Sequence, residues 1–170
     1  MRRVGGWPGD RGRHGGIDEI PLPGPGRLWL CGKHFVGPDP EEALRGTGAE
    51  AIVCLNEAHE LVDRYPAYVT WLREHGGTQA IWHPVPDLHA PPVEDARRLV
   101  AAIDGLLDRG GGVIVHCGAG IGRAGTVAVA LLVHRGVPLD EALATVAAHR
   151  PMAGPEAGVQ RALLDALAGP

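Results

Sequence analysis

The chain has 170 residues, 45% of them apolar and 21% charged, which fits one globular domain with enough interior to fold unaided. A formal net charge of −4 speaks against a general nucleic-acid binder, because counterion-release affinity needs an excess of Lys and Arg on one face. No apolar run reaches the ~20 residues of a membrane span, and no stretch near the start resembles a signal peptide. The expectation is a soluble, cytoplasmic protein with neither nucleic-acid nor membrane partners.

Met1–Gly16 holds six glycines and four arginines and almost nothing apolar, so it reads as a flexible tail ahead of one domain over 17–170. After the Pro21–Gly26 lead, short apolar runs alternate with segments of helical period. That is the pattern of an α/β fold with a mostly parallel central sheet of four to five strands and helices on both faces. The strands are expected at Arg27–Cys31, Ala51–Leu55, Ala80–Pro84 and Val113–His116, and the first helices at Pro40–Arg45 and Pro66–His75. Over Pro92–Arg109, Val93, Ala96, Leu99, Val100, Ile103, Leu106 and Leu107 form one helical stripe, with Pro in the first turn and Gly110 past the end. Ala124–Val133 is apolar on every side, as suits a helix buried in mid-domain. Helices at Pro138–His149 and Pro155–Leu167 follow, the last with Val159, Leu163 and Ala166 or Leu167 turned inward.

Cys31, Cys54 and Cys117 are odd in number and form no CxxC pair, so neither a disulfide framework nor a zinc site is indicated. A functional thiol would act singly. The place for one is Gly112–Thr126, GVIVHCGAGIGRAGT, between the last strand and the buried helix. Glycines at 118, 120 and 122 let backbone N–H groups turn inward around an anion, and the helix start adds its own free N–H groups and positive dipole end. Cys117 lies at the floor of that cradle, where the same groups favour thiolate over thiol. Arg123, six residues on, offers a planar two-pronged donor to a dianion. A buried structural Cys beside an ion-paired Arg is the plainer alternative.

The stretch HCGAGIGRAGT resembles the signature loop HCxxGxxR of cysteine-dependent protein tyrosine and dual-specificity phosphatases. The resemblance implies a phosphocysteine on Cys117, later hydrolysed by water, with no metal or cofactor. The amides of Gly118, Ala119, Gly120, Ile121, Gly122 and Arg123, together with the Arg123 side chain, would stabilise the transition state. His116 is implied as a residue that holds the loop and tunes the thiolate; a core histidine is the alternative. Expelling an alkoxide or phenoxide needs a proton, and Asp87, in the Pro-punctuated loop WHPVPDLHAPP, resembles the general acid of the compact members. Glu94 and Asp95 read more simply as stabilisers of a helix start, and His89 as a solvated loop residue.

Three positions are accessory candidates through the same resemblance. Asn56 is either a brace of the loop or a strand-end cap, and Gln160 either a pocket residue or a surface residue. Cys54 is either a partner for a redox disulfide with Cys117 or an ordinary buried thiol. Tyr68 and Trp71 read as core packing. The chain departs from the family at Ala124, where a Ser or Thr hydroxyl usually assists phosphoenzyme hydrolysis, so a slow second step is expected. A loop without lysines favours a phosphoprotein over a polyanionic inositol lipid. The competing readings are a rhodanese-like sulfurtransferase, which has no use for Asp87, and a non-catalytic phosphate-recognition module, which Ala124 alone favours.

Overall fold

The computed structural model describes residues 14–170. Most of the expected tail therefore lies outside the described residues. Within it, His14 meets the Phe35 ring edge-on at 5.1 Å between centroids.

Five strands form one sheet in the order β1-β2-β5-β3-β4, from β1 (Ile17–Ile20), β2 (Arg27–Gly32), β3 (Ala51–Cys54), β4 (Ala80–Trp82) and β5 (Gly112–Cys117). All pairings are parallel except β1 with β2, where Ile17 faces Cys31 and Ile20 faces Leu28. The sequence reading lacked β1, because four residues, IDEI, carry too little pattern to declare a strand. The Pro/Gly-rich lead is the connection of that hairpin. Its Gly26 has φ +93° and packs so closely that a Cβ there would lie 2.6 Å from Leu107.

The sheet separates two apolar layers. On one side lie α1 (Lys33–Val36), a single turn not foreseen from sequence, α2 (Pro40–Thr47) and α3 (Pro66–Glu74), packed on Trp29, Ile52 and Ile114. On the other lie α4 (Val93–Asp108), α5 (Gly122–His134), α6 (Leu139–His149) and α7 (Gly158–Ala168), packed on Leu30, Val53, Val113 and Val115. The α4 stripe is buried through Ala96, Leu99, Val100, Ile103 and Leu107, as its period requires. In α7 the buried side chains are Gln160, Leu163 and Leu164, whereas Val159, expected inward, is 54% exposed. The helix starts after Ala157 rather than at Pro155, so Val159 falls in its first turn, beside the inward stripe of Gln160, Leu163, Leu164 and Leu167 that keeps the expected Leu163 and Leu167 on the core.

Helix α5 is buried on all sides from Gly122 to Leu132 and continues straight from the loop that follows β5. The strand end, the loop and the helix start are thus gripped by both layers, and they form the rigid floor of the site.

Candidate active site

Cys117 closes β5 with 3% of its surface exposed, and its Sγ accepts a hydrogen bond from the Ala124 N–H, in the first turn of α5, at 3.4 Å. The loop between them is held from outside. The Gly118 carbonyl accepts from the Lys33 N–H at 2.9 Å, and the Ile121 carbonyl accepts from Gly125 and Gly154 N–H at 3.0 and 3.1 Å. In a trans peptide the N–H points away from its C=O, so these contacts turn the Ala119 and Gly122 amides to the inner side. Gly120, at φ +75°, passes so near the Cys31 carbonyl that a Cβ would sit 2.4 Å from it, so only glycine fits.

Arg123 is buried and oriented by a fork: its Nη1 and Nη2 donate to Glu60 Oε2 and Oε1, both at 2.8 Å, and Nη1 donates also to the Val85 carbonyl at 2.8 Å. Its Nε is buried and has no hydrogen-bond partner among the described residues, which leaves one donor for an oxyanion. Glu60 sits on the 3₁₀ turn Ala58–Glu60, where Asn56 Nδ2 and the Glu57 N–H also donate to its carboxylate, at 3.0 and 2.8 Å. Burial works to raise its pKa, but the Arg123 fork and these donors prevail and hold it down at about 2. The Glu60 carbonyl accepts from Lys33 Nζ, the chain's single lysine, at 3.0 Å.

His116 is fully buried. Burial, reinforced by the Arg123 charge, pushes its pKa down to about 4, so the ring is neutral. Its Nδ1 lies 3.2 Å from the Cys117 carbonyl, which can only accept, so Nδ1 carries the proton. Nε2 is then bare and accepts from the Tyr68 hydroxyl at 2.6 Å. Tyr68 is therefore more than core packing: its hydroxyl satisfies the buried, bare Nε2 of His116.

Asp87 stands in the connection between β4 and α4 with its carboxylate 71% exposed, 3.6 Å from Arg123 Nη2. Its Oδ1 accepts from the Leu88 N–H, and Leu88 adopts a left-handed φ of +62°. His89, exposed as expected, reaches the Asp87 carbonyl with Nδ1. Glu94 and Asp95 lie in the first turn of α4, paired with Arg97 and Arg98, away from the cleft. Asp87, Glu60, Lys33, Cys117, Arg123 and Glu156 line one open cleft of about 550 Å³.

The accessory candidates fall elsewhere. Asn56 is buried and reaches the loop only through Glu60 and then Arg123. Gln160 is buried outside the cleft; its Oε1 accepts from Glu156 and Ala157 N–H at the start of α7, and its Nε2 donates to the His89 carbonyl at 3.2 Å. It moors the Asp87 loop to α7. Cys54 packs in the α1–α3 layer with Cys31 and Tyr68, whereas Cys117 belongs to the opposite layer, and all three cysteines are free thiols. Burial pushes the Cys54 thiol up to about 12.

Glu60 and the hydrogen-bonding role of Tyr68 were missed from the sequence. For Glu60 the available signal was the Glu57-x-x-Glu60 spacing of a capping box. Glu57, His59 and Glu60 bring donor atoms within 4.8 Å of one another, but Glu60 is committed to Arg123, so this grouping is a brace and not a metal centre.

Known proteins resemble this chain in sequence and in fold. Residues 36–137 match the Tc-R-P family, described as polymorphic toxin system, DSP-PTPase phosphatase. The structure of Tk-PTP in its active form is similar to this one at a TM-score of 0.69 and 30% identity, covering 88% of this chain and 95% of that one. Human DUSP28 shares the fold at a TM-score of 0.64 and 24% identity, over 82% of this chain and 86% of its own. Dual specificity protein phosphatase 1 of Arabidopsis thaliana is 44% identical over 64 residues, which are 37% of this chain and only 32% of that protein.

Proposed function

Because the chain belongs to the DSP-PTPase phosphatase family, we propose that residues 17–170 form a phosphoprotein phosphatase domain that acts through a phosphocysteine intermediate. The observation that carries the reading is the convergence of Cys117, Arg123 and Asp87 on one cleft, with the buried Arg123 Nε left without a hydrogen-bond partner among the described residues.

In the first step Cys117 Sγ bonds to phosphorus as the P–O ester bond breaks, and Asp87 gives its proton to the departing oxygen. Arg123 Nε and the inward amides meet the three equatorial oxygens, where charge concentrates. In the second step a water attacks phosphorus, Asp87 takes its proton, and the P–S bond breaks to release inorganic phosphate and the thiolate. Ala124 offers the sulfur its backbone N–H but no hydroxyl, so this second step is slow.

Substrates are phosphotyrosine proteins, extending to phosphoserine and phosphothreonine. Three free thiols, one of them nucleophilic, suit a reducing compartment, which supports a cytoplasmic site of action. No helix among the described residues is long and apolar enough to cross a membrane. Asp87 beside Arg123 weighs against a sulfurtransferase and against a non-catalytic module.

The test is hydrolysis of para-nitrophenyl phosphate and of phosphotyrosine, phosphoserine and phosphothreonine peptides by the wild type and by Cys117→Ser. Hydrolysis lost only in the variant supports the reading. An inert wild type, or persulfide formation from thiosulfate, removes it.

A further inference from the structure

The contacts described so far hold the two ends of the loop, Gly118 and Ile121, and leave its middle peptides to be accounted for. We infer that Arg150 is a positioning residue of the phosphate cradle, anchored by Asp18, which keeps the Gly120 and Ile121 amides turned toward the oxyanion. The inference rests on the phosphatase reading above and concerns a residue outside the cleft.

Arg150 follows α6, and only 3% of its surface is exposed. Its Nε donates to the Gly120 carbonyl at 2.8 Å and its Nη2 to the Ala119 carbonyl at 2.9 Å. Nη1 donates to Asp18 Oδ2 at 2.8 Å and lies 3.4 Å from the Gly16 carbonyl. One planar group thus grips two successive carbonyls on the outer side of the loop, which a lysine ammonium with its single centre does not do. Because N–H and C=O point to opposite sides of a trans peptide, holding the Ala119 oxygen outward sets the Gly120 N–H inward, and holding the Gly120 oxygen outward sets the Ile121 N–H inward.

These peptides need such a restraint. Gly120 is in the left-handed region, where glycine allows the peptide before it to flip between two turn forms at little cost. A flip would point a carbonyl oxygen at the phosphoryl group where a donor is required. Asp18 supplies the opposite charge that makes a buried guanidinium tolerable, and it does so from β1, the antiparallel edge strand. The edge strand is thereby tied to the loop it never touches in the sheet.

The amides are needed most when charge gathers on the equatorial oxygens, so their misplacement acts on the transition state more than on substrate binding. Arg150→Met, Arg150→Lys and Asp18→Asn are compared with the wild type on para-nitrophenyl phosphate, with active sites counted by iodoacetate labelling of Cys117. Orthovanadate, a five-coordinate mimic, is the inhibitor, and its affinity is also measured by calorimetry. Arg150→Met lowers kcat per titrated site about 10²–10³-fold, the scale of losing an oxyanion donor, with KM changed less than about threefold and vanadate affinity falling in step. Arg150→Lys recovers part of the loss, and Asp18→Asn loses about tenfold.

Full kcat and full vanadate affinity in these variants overturn the inference. So does a loss confined to the number of titrated sites, which marks a merely structural role. Should Arg150→Met fail to fold, Asp18→Asn and Arg150→Lys decide by the same readouts. An inert wild type sinks the phosphatase reading separately. In that event vanadate calorimetry alone judges Arg150, with unchanged affinity in the variants counting against it.

Discussion

Replacing Glu60 by glutamine tests how the Arg123 side chain is held. The carboxylate takes both ends of the guanidinium at 2.8 Å, and the amide can return only one acceptor while setting an NH₂ against the other N–H. Burial acts to raise the Glu60 pKa, yet Arg123 and the Glu57 and Asn56 donors bring it to about 2 from an ordinary 4.5. That difference corresponds to about 3 kcal/mol in favour of the ionised form. The carboxylate keeps 15% of its surface in water, which screens the pair, so about 2 kcal/mol is the share that reaches the folded state.

The sign follows from the depressed pKa. The stabilisation is complete above the unfolded value near 4.5 and is lost as pH falls through about 2. Thermal melts at pH 7 are therefore expected to place Glu60→Gln about 4–8 °C below the wild type, at about 2–4 °C per kcal/mol for a chain of this size. The gap should shrink to less than half by pH 3. With the fork gone, the guanidinium is no longer aimed, and kcat/KM on para-nitrophenyl phosphate at pH 7 falls about 10–30-fold. Equal melting and equal kcat/KM at pH 7, or a gap undiminished at pH 3, refutes the reasoning.

Tyr68→Phe leaves a buried histidine nitrogen without its donor and costs about 1–3 kcal/mol in urea melts, with a smaller change in kcat because the Nδ1–H bond to the Cys117 carbonyl survives. Asp87→Asn lowers kcat about 10²–10³-fold on alkyl phosphates and much less on esters with good leaving groups, measured across a series of leaving-group acidities. Ala124→Ser raises steady-state turnover and shrinks the burst of product seen in stopped flow; turnover equal to wild type counts against a slow second step. His116, buried and neutral, takes up a proton on unfolding anywhere between about pH 4 and its ordinary 6.5, so stability falls with pH across that window. The loss amounts to about 3 kcal/mol, and His116→Gln flattens that slope in urea melts taken at several pH values.

The groups proposed to meet the phosphate are legible in the sequence, and what holds those groups in place is not. The proposed nucleophile, amides and arginine lie in one run from Cys117 to Arg123, because the proposed binding surface is the backbone of a single loop and its spacing is dictated by the size of an oxyanion. As the proposed acid, Asp87 is legible for a related reason: a proton donor must come from outside the loop, and few upstream acids sit in a Pro-punctuated connection. The strands β2 to β5 are legible as short apolar runs, and the helices α2 to α7 from helical period, end signals and, for α5, unbroken apolarity. The weak pattern of IDEI hid β1, and a one-turn helix such as α1 has no period to read.

The supports reach across the chain. Glu60 stands 63 residues from Arg123, Tyr68 48 residues from His116, and Asp18 132 residues from Arg150. Each is a buried or half-buried polar group whose only requirement is a partner at hydrogen-bond distance, and any strand end or helix face that reaches the loop can supply one. Beyond the capping-box spacing that marks Glu60, sequence spacing carries no trace of that choice. Tyr68 consequently looks like any inward aromatic of an amphipathic helix, and Arg150 like the last turn of α6 before Pro151. Only the hydrogen bonds of the folded chain distinguish them: Tyr68 meets the buried ring nitrogen of His116, and Arg150 grips the Ala119 and Gly120 carbonyls while Asp18 ties it to the edge strand β1.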